Sequence, residues 1–155
     1  MPKRTLRELA WSMLDELNDA HDGESLHPIT YSDASRRAGV DPQDYARVTG
    51  QAASLIDAAC FWAKLPFLAI GFVRHDDGSV NLASYSDGRY GQWHAHREPL
   101  LEGCLSYPWT RDHIEKIRRV LHDLPDGATT AWDQIAHRFG DSAITMAYEF
   151  AGKTR

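Results

Sequence analysis

The sequence predicts an α+β fold: helices, a small antiparallel sheet, then helices again. Three observations carry this reading. Apolar residues recur at helical spacing from Leu6 to Leu17 and from Tyr45 to Ala63. Between Phe67 and His96 a short apolar run is followed by two Asp/Gly turn signals, the punctuation of a hairpin or meander. After Thr110 the pattern returns to helical starts and glycine stops. With 155 residues, 43% hydrophobic and 25% charged, the chain reads as one globular domain over residues 1–155.

Each element has its own signal. Thr5-x-x-Glu8 is a capping box, and Leu6, Leu9, Ala10, Met13, Leu14 and Leu17 form the inner face of the helix it opens. Asn18 to Pro28, with His21, Asp22 and Gly23, reads as a polar loop. Ile29 to Ala52, ITYSDASRRAGVDPQDYARVTGQA, is a helix-turn-helix built around one glycine. Thr30 or Ser32 caps a short helix over Ser32 to Ala38, Gly39 ends it in the left-handed conformation, and Asp41-Pro42 restarts the chain as N-cap and first helical residue. The third helix runs from Pro42 towards Lys64, with Gly50 either bending it or allowing a close crossing, and Leu65-Pro66 stops it.

Phe67 to Arg74 is expected as a strand, His75-Asp76-Asp77-Gly78 as a turn and Ser79 to Ser86 as its partner strand. Asp87-Gly88 turns the chain again into a third strand over Arg89 to His96, and Leu100 to Pro108 has no decisive pattern. Thr110 caps a helix to Leu124, with Trp109 and Ile114 as its hydrophobic staple. Pro125-Asp126-Gly127 is a turn. A short helix from Ala131 or Trp132 to Phe139 ends at Gly140, and Asp141 or Ser142 opens the last helix towards Ala151. Segments 5–39 and 110–140 form a pseudo-repeat, since TYSDASRRAG and AWDQIAHRFG share a second-position aromatic, an eighth-position basic residue and a closing glycine. This is either an internal duplication or the match that any glycine-stopped helix-turn-helix produces.

Composition narrows the function classes. No apolar run approaches the ~20 residues of a membrane helix, and the N-terminus has no apolar core of a signal peptide, so no membrane association is expected. Cys60 and Cys104 lack a short spacing and read as reduced thiols of a cytoplasmic protein, with a disulfide between them as the alternative. The formal net charge of −5 argues against a strong nonspecific polyanion binder, although a local basic face is compatible with an acidic body.

ITYSDASRRAG followed by ARVTGQA resembles the winged-helix DNA-binding domain of O6-alkylguanine-DNA alkyltransferases and alkyltransferase-like proteins, with its "TYGxxA…G" helix and "ARAVGxA" recognition helix. LPDGATTAWDQIAHRFG is similar to the opening of that domain. By this resemblance Thr30 and Tyr31 fall on the family's Thr-Tyr, Gly39 on its turn glycine, and Gly50 and Ala52 on the small residues that let the helix approach DNA. Arg47 falls on the arginine that enters the base stack. The Pro-Cys-His-Arg nucleophile motif has no counterpart, since Leu65-Pro66-Phe67-Leu68 follows the recognition helix, so the resemblance implies the scaffold without alkyl transfer.

The expected function is therefore non-enzymatic binding of double-stranded DNA by a winged-helix-like domain, with Tyr31, Arg36, Arg37, Arg47 and Gln51 as contact residues. Asp33, Asp41 and Asp44 alternate with these arginines and are their competing ion-pair partners, while Asp76 and Asp77 at the hairpin tip repel phosphate. The alternative is a protein–protein interaction module, an adaptor or regulator from a bacterial or mobile-element system, which meets a protein partner or a second copy of itself. A third reading is a small metal-dependent enzyme, because His94 and His96 on a strand project to one face. No HExxH or CxxC accompanies them, and no cofactor is expected. Cys104 and Ser106 lack a nucleophile elbow, and Tyr90, Trp93, Tyr107 and Trp109 read as core filling before they read as a stacking surface.

Overall fold

A helix of small and apolar residues, GQAASLIDAACFW, has no polar face to give to water and must be wrapped by others. It is the axis of this fold. The computed structural model describes residues 5–44, 48–80 and 93–155. In chain order these form α1 (Leu6–Asp19), β1 (Ile29–Thr30), α2 (Tyr31–Ala38), a 3₁₀ turn (Pro42–Asp44), α3 (Gly50–Trp62), α4 (Ala69–Phe72), β2 (Val73–Arg74), α5 (Arg97–Ser106), α6 (Arg111–His122), α7 (Ala128–Phe139) and α8 (Ser142–Phe150). α1, α6 and α7 pack around α3, and α2, α4, α5 and α8 complete the shell. Nine of the 13 residues of α3 are buried.

The helix starts follow the sequence signals. Thr5, Thr30 and Thr110 each accept the N–H of the residue three positions on. Thr110 forms a full capping box, with the His113 imidazole in the place usually taken by Glu or Gln. Gly39 ends α2 at φ 74°, as expected of a left-handed stop. Trp109 and Ile114 are both buried, as a staple requires. α7 begins at Ala128, three residues before the earliest expected start.

The sheet differs from expectation. β1 and β2 pair in parallel, Ile29 with Val73 and Thr30 with Arg74, so among the described residues the sheet is a two-residue parallel ladder and not the predicted antiparallel one. The expected strand Phe67 to Arg74 is mostly a helical turn, α4, with only its last two residues extended. The cause is tertiary: the buried carboxylate of Asp57 on α3 accepts the Ala69 N–H at 2.8 Å and satisfies one of the orphan donors of that turn. The turn over residues 75–78 does form, closed by Gly78 N–H to the His75 carbonyl, and Arg74 and Val80 make one antiparallel bridge beyond it. Most of the expected strand Ser79 to Ser86 and the first part of the strand Arg89 to His96 lie outside the described residues. Residues 93–96 are a 3₁₀ turn leading into α5, not a strand.

The long third helix is also divided. Residues 42–44 are 3₁₀, Val48 and Thr49 are π-helical, and regular α-helix begins only at Gly50. The wide turn serves a buried hydroxyl pair, in which Ser35 of α2 and Thr49, both fully buried, meet at 2.5 Å. Gly50 is no crossing point among the described residues, because a methyl there meets none of their atoms within 4 Å. Close approach belongs to Gly103 in α5, which faces Ala151 at the end of α8. No helix among the described residues is long and apolar enough to cross a membrane.

Candidate functional site

The helix-turn-helix positions its candidate residues in unequal ways. Arg36 and Arg37 occupy the last turn of α2, where cations complement the helix dipole, and both are exposed. Arg36 donates to Asp33 one turn back at 2.8 Å. Arg37 reaches across to Asp19 of α1 at 2.9 Å, not to Asp41 or Asp44. Beside it, burial raises the Glu16 carboxyl above its ordinary value, Arg37 pulls it down, and Asp33 and Asp19 add to the rise. The two arginines are thus embedded in carboxylates from two helices. Tyr31 is half-buried, its ring 5.6 Å from the His75 ring, and the neighbouring Ser32 hydroxyl donates to Asp76 at 2.8 Å. Gln51 is the exposed residue of α3, and Arg47 lies outside the described residues.

The 75–78 turn carries Asp76 and Asp77 at its tip. The Ser79 hydroxyl and then its N–H, both donating to Asp77, hold that carboxyl below its ordinary value. The tip is therefore anionic, and it lies beside the first turn of α2 through the Ser32–Asp76 bond.

His94 and His96 do not share a strand face, because the residues around them are a 3₁₀ turn. His96 Nδ1 meets the Tyr148 hydroxyl at 2.8 Å. Burial lowers its pKa, Arg155 lowers it further and Asp141 opposes both. His94 Nδ1 is buried with no partner among the described residues, and its carbonyl accepts from Arg97 at 2.7 Å. No group of three His, Cys, Asp or Glu side chains among the described residues is arranged to hold a metal ion. Cys60 and Cys104 are both buried free thiols, pushed well above the ordinary range first by burial and then by Asp57, which leaves them protonated and inert. Ser106 donates to the Glu102 carbonyl of its own helix. Trp93 and Trp109 are core residues, as the core-filling reading expected, Tyr107 is half-buried, and Tyr90 lies outside the described residues.

No protein-family model matches the chain, and no curated protein or solved structure matches it.

A surface that the sequence reading did not single out lies between α1 and α6. Trp11 stacks on His122, with ring centroids 5.8 Å apart and planes 15° from parallel. The two rings form the floor of an open notch of ≈ 250 Å³ with Glu115, Arg118 and Arg119 on its rim. A second notch of ≈ 440 Å³, lined by Glu8, Trp11, Ser12, Asp15, Arg37 and Arg118, adjoins it through Trp11 and Arg118. Arg118 pairs with Asp15 across the two helices, and Arg119 stands 3.8 Å from Glu115 along its own helix. The signal available in the sequence was Trp11 on the outer half of an otherwise regular amphipathic helix, opposite the RR pair of α6.

Proposed function

We propose that this chain is a non-enzymatic protein-interaction module, in which the helix-turn-helix segment builds the core and the α1/α6 face meets a partner protein. The observation that carries the reading is the burial of α3. A DNA-reading helix lays a regular exposed face into the major groove, whereas the expected reading segment Asp41 to Ala52 is 3₁₀ at 42–44, π-helical at 48–49 and α-helical only from Gly50, where it joins the buried α3 with Gln51 as its exposed residue. The carboxylates around Arg36 and Arg37 and the anionic 75–78 turn weigh the same way, because phosphate neutralisation needs uncommitted cations. The α1/α6 face offers Trp11 beside Arg119, whose contact with Glu115 is a loose 3.8 Å at the surface, and aromatic and Arg side chains dominate binding energy at protein interfaces. Glu8, Asp15 and Glu115 on the same rim suit a partner of mixed charge with an aromatic or aliphatic anchor.

Affinity capture followed by titration with the purified partner tests this. Arg119→Glu, at an exposed rim position, is expected to weaken binding at least about tenfold, an interfacial loss of ~1.4 kcal/mol, without moving the unfolding midpoint. Trp11→Ala abolishes it. A dimer that dissociates in Trp11→Ala, seen by light scattering, would place a second copy of the chain on this face. Binding indifferent to both substitutions overturns the assignment.

DNA binding by a winged-helix-like domain is the second reading. It is favoured by the exposure of Gln51 in the first turn of α3, where recognition helices place their base contacts. Anisotropy with a duplex at ~50 mM salt, a condition that leaves electrostatic contacts little screened, separates the two. Salt-sensitive binding lost in Arg36→Ala and Arg47→Ala would establish DNA contact and displace the protein-partner reading.

A further inference from the structure

The connection between α5 and α6, residues 107–110, is held by two imidazoles at the two ends of one peptide group. His21, 6% exposed in the 20–28 loop, places Nε2 2.8 Å from the Trp109 carbonyl, while its Nδ1 accepts the Gly23 N–H at 3.0 Å. His113 Nδ1 accepts the Thr110 N–H at 3.0 Å and lies 3.1 Å from the Thr110 hydroxyl, while its Nε2 stands 3.3 Å from the Tyr107 hydroxyl. A backbone N–H only donates and a carbonyl only accepts. Both Nδ1 atoms are therefore bare, and both rings are neutral with the proton on Nε2. The Trp109 carbonyl and the Thr110 N–H belong to the same planar peptide, so the two histidines grip one rigid unit from opposite sides.

We propose that this peptide is an acid-released clasp: protonating His21 and His113 turns each Nδ1 from acceptor into donor against a backbone N–H, which frees the 20–28 loop and the first turn of α6 together. Each ring gains one proton from solvent and loses one hydrogen bond, and no other reactant is involved. At His113 the new charge also falls on the third residue of α6, where the helix dipole disfavours a cation. Burial already holds the His113 pKa below its ordinary value, with Lys116 acting in the same sense and Asp112 opposing. The groups facing His21 are the Arg111 guanidinium, which donates to its carbonyl at 2.6 Å, Glu24 and Asp112 in the adjoining notch, and the Asp22–His27 pair. At His113, Lys116 resists protonation and Asp112 favours it. The segment released is the wall of the notch that Trp109 lines, so acidification uncovers the Trp109 backbone there.

Amide exchange of the ¹⁵N-labelled chain between about pH 7.5 and pH 5, the range in which histidine titrates, tests the clasp. After correction for intrinsic exchange, protection at Gly23 and Thr110 is expected to fall together by roughly tenfold, the loss of about one net hydrogen bond, while Leu55–Ala59 amides in α3 stay protected. In His113→Gln, which keeps an acceptor at that position and takes no proton, Thr110 protection becomes independent of pH. Unchanged protection at Gly23 and Thr110 down to pH 5, or a fall that only parallels α3, overturns the proposal. Imidazole ¹⁵N spectra of the wild-type chain decide the matter without the variant. Both rings must be neutral Nε2–H tautomers at the upper pH and cationic at the lower, and any other pair of states refutes the clasp.

Discussion

Gly103 lies in the middle of α5, a position where alanine is normally preferred, and here a methyl group has nowhere to go. A Cβ added at Gly103 would stand 2.4 Å from Ala151 Cβ, 2.8 Å from the Ala151 carbonyl oxygen and 3.1 Å from Ala151 Cα. Non-bonded carbons rest at ~3.5–4.0 Å, so the shortfall is about 1 Å or more. None of the opposing atoms belongs to a flexible side chain, so α5 and the end of α8 must move apart. Overpacking of this kind costs ~1–3 kcal/mol, while the helix preference of Ala over Gly returns ~0.8–1 kcal/mol. A 2.4 Å contact against backbone-anchored atoms puts the cost in the upper part of that range, ~2–3 kcal/mol, so the net expectation for Gly103→Ala is a loss of ~1–2 kcal/mol, or roughly 2–8 °C in Tm for a domain of this size. Gly50 is the matched control. It is helical, not left-handed, and an added methyl meets nothing within 4 Å among the described residues, so the same substitution there is expected to stabilise by ~0.4–1 kcal/mol. Urea unfolding at constant m-value reads both changes. Ala151→Gly in the Gly103→Ala background removes the nearest opposing atom and recovers part of the loss. If Gly103→Ala were as stable as the wild-type chain, the close α5–α8 packing and the reason for a mid-helix glycine would both be wrong.

Asp57→Ala strands the Ala69 N–H in the core and is expected to cost ~1–3 kcal/mol, with Asp57→Asn costing less because it keeps an acceptor; equal losses in the two would count against the cap. Ser35→Ala leaves the buried Thr49 hydroxyl without its partner at a similar ~1–3 kcal/mol, and adding Thr49→Val should return most of it. A double variant that is merely additive would show the hydroxyls to be uncoupled. His96 and His113 both have folded-state pKa values below the ordinary 6.5, so the folded chain binds fewer protons than the unfolded chain between those values. Their stability contribution is complete above 6.5 and is lost as pH falls through the folded values. Urea midpoints should therefore drop below neutral pH, and a midpoint that rises on acidification would refute the assignment. Asp22 and Asp77 are held low, so their contribution is lost only at still more acid pH.

What was legible in the sequence was local. Thr5, Thr30, Thr110 and Gly39 end their helices through bonds to residues within one turn, so the signal and its effect share a window. What was illegible depends on residues far apart in the chain. FLAIGFV is apolar without period, and nothing within it separates a buried strand from a buried helical turn; the deciding contact comes from Asp57, 12 residues from Ala69. α5 was hidden because Leu100 to Pro108 has no decisive pattern, and Pro99 and Gly103 are weak helix formers. Pro99 sits in the first turn, where its missing N–H costs nothing, and Gly103 is there because Ala151 is opposite. The candidate site divides in the same way. Arg36 and Arg37 were recognisable as exposed cations, but Asp19, which engages Arg37, comes from α1 and could not be assigned by spacing.

The burial of α3 follows from composition that was visible throughout. A recognition helix needs one polar face, and from Ala52 to Phe61 this helix offers only Ser54 and Asp57 as polar residues. Asp57 is buried and capping α4, and Ser54 accepts the Trp132 indole N–H through both its carbonyl and its hydroxyl. Both polar side chains are thus turned inward to neighbouring elements. From Ala52 on, composition thus makes α3 a core helix.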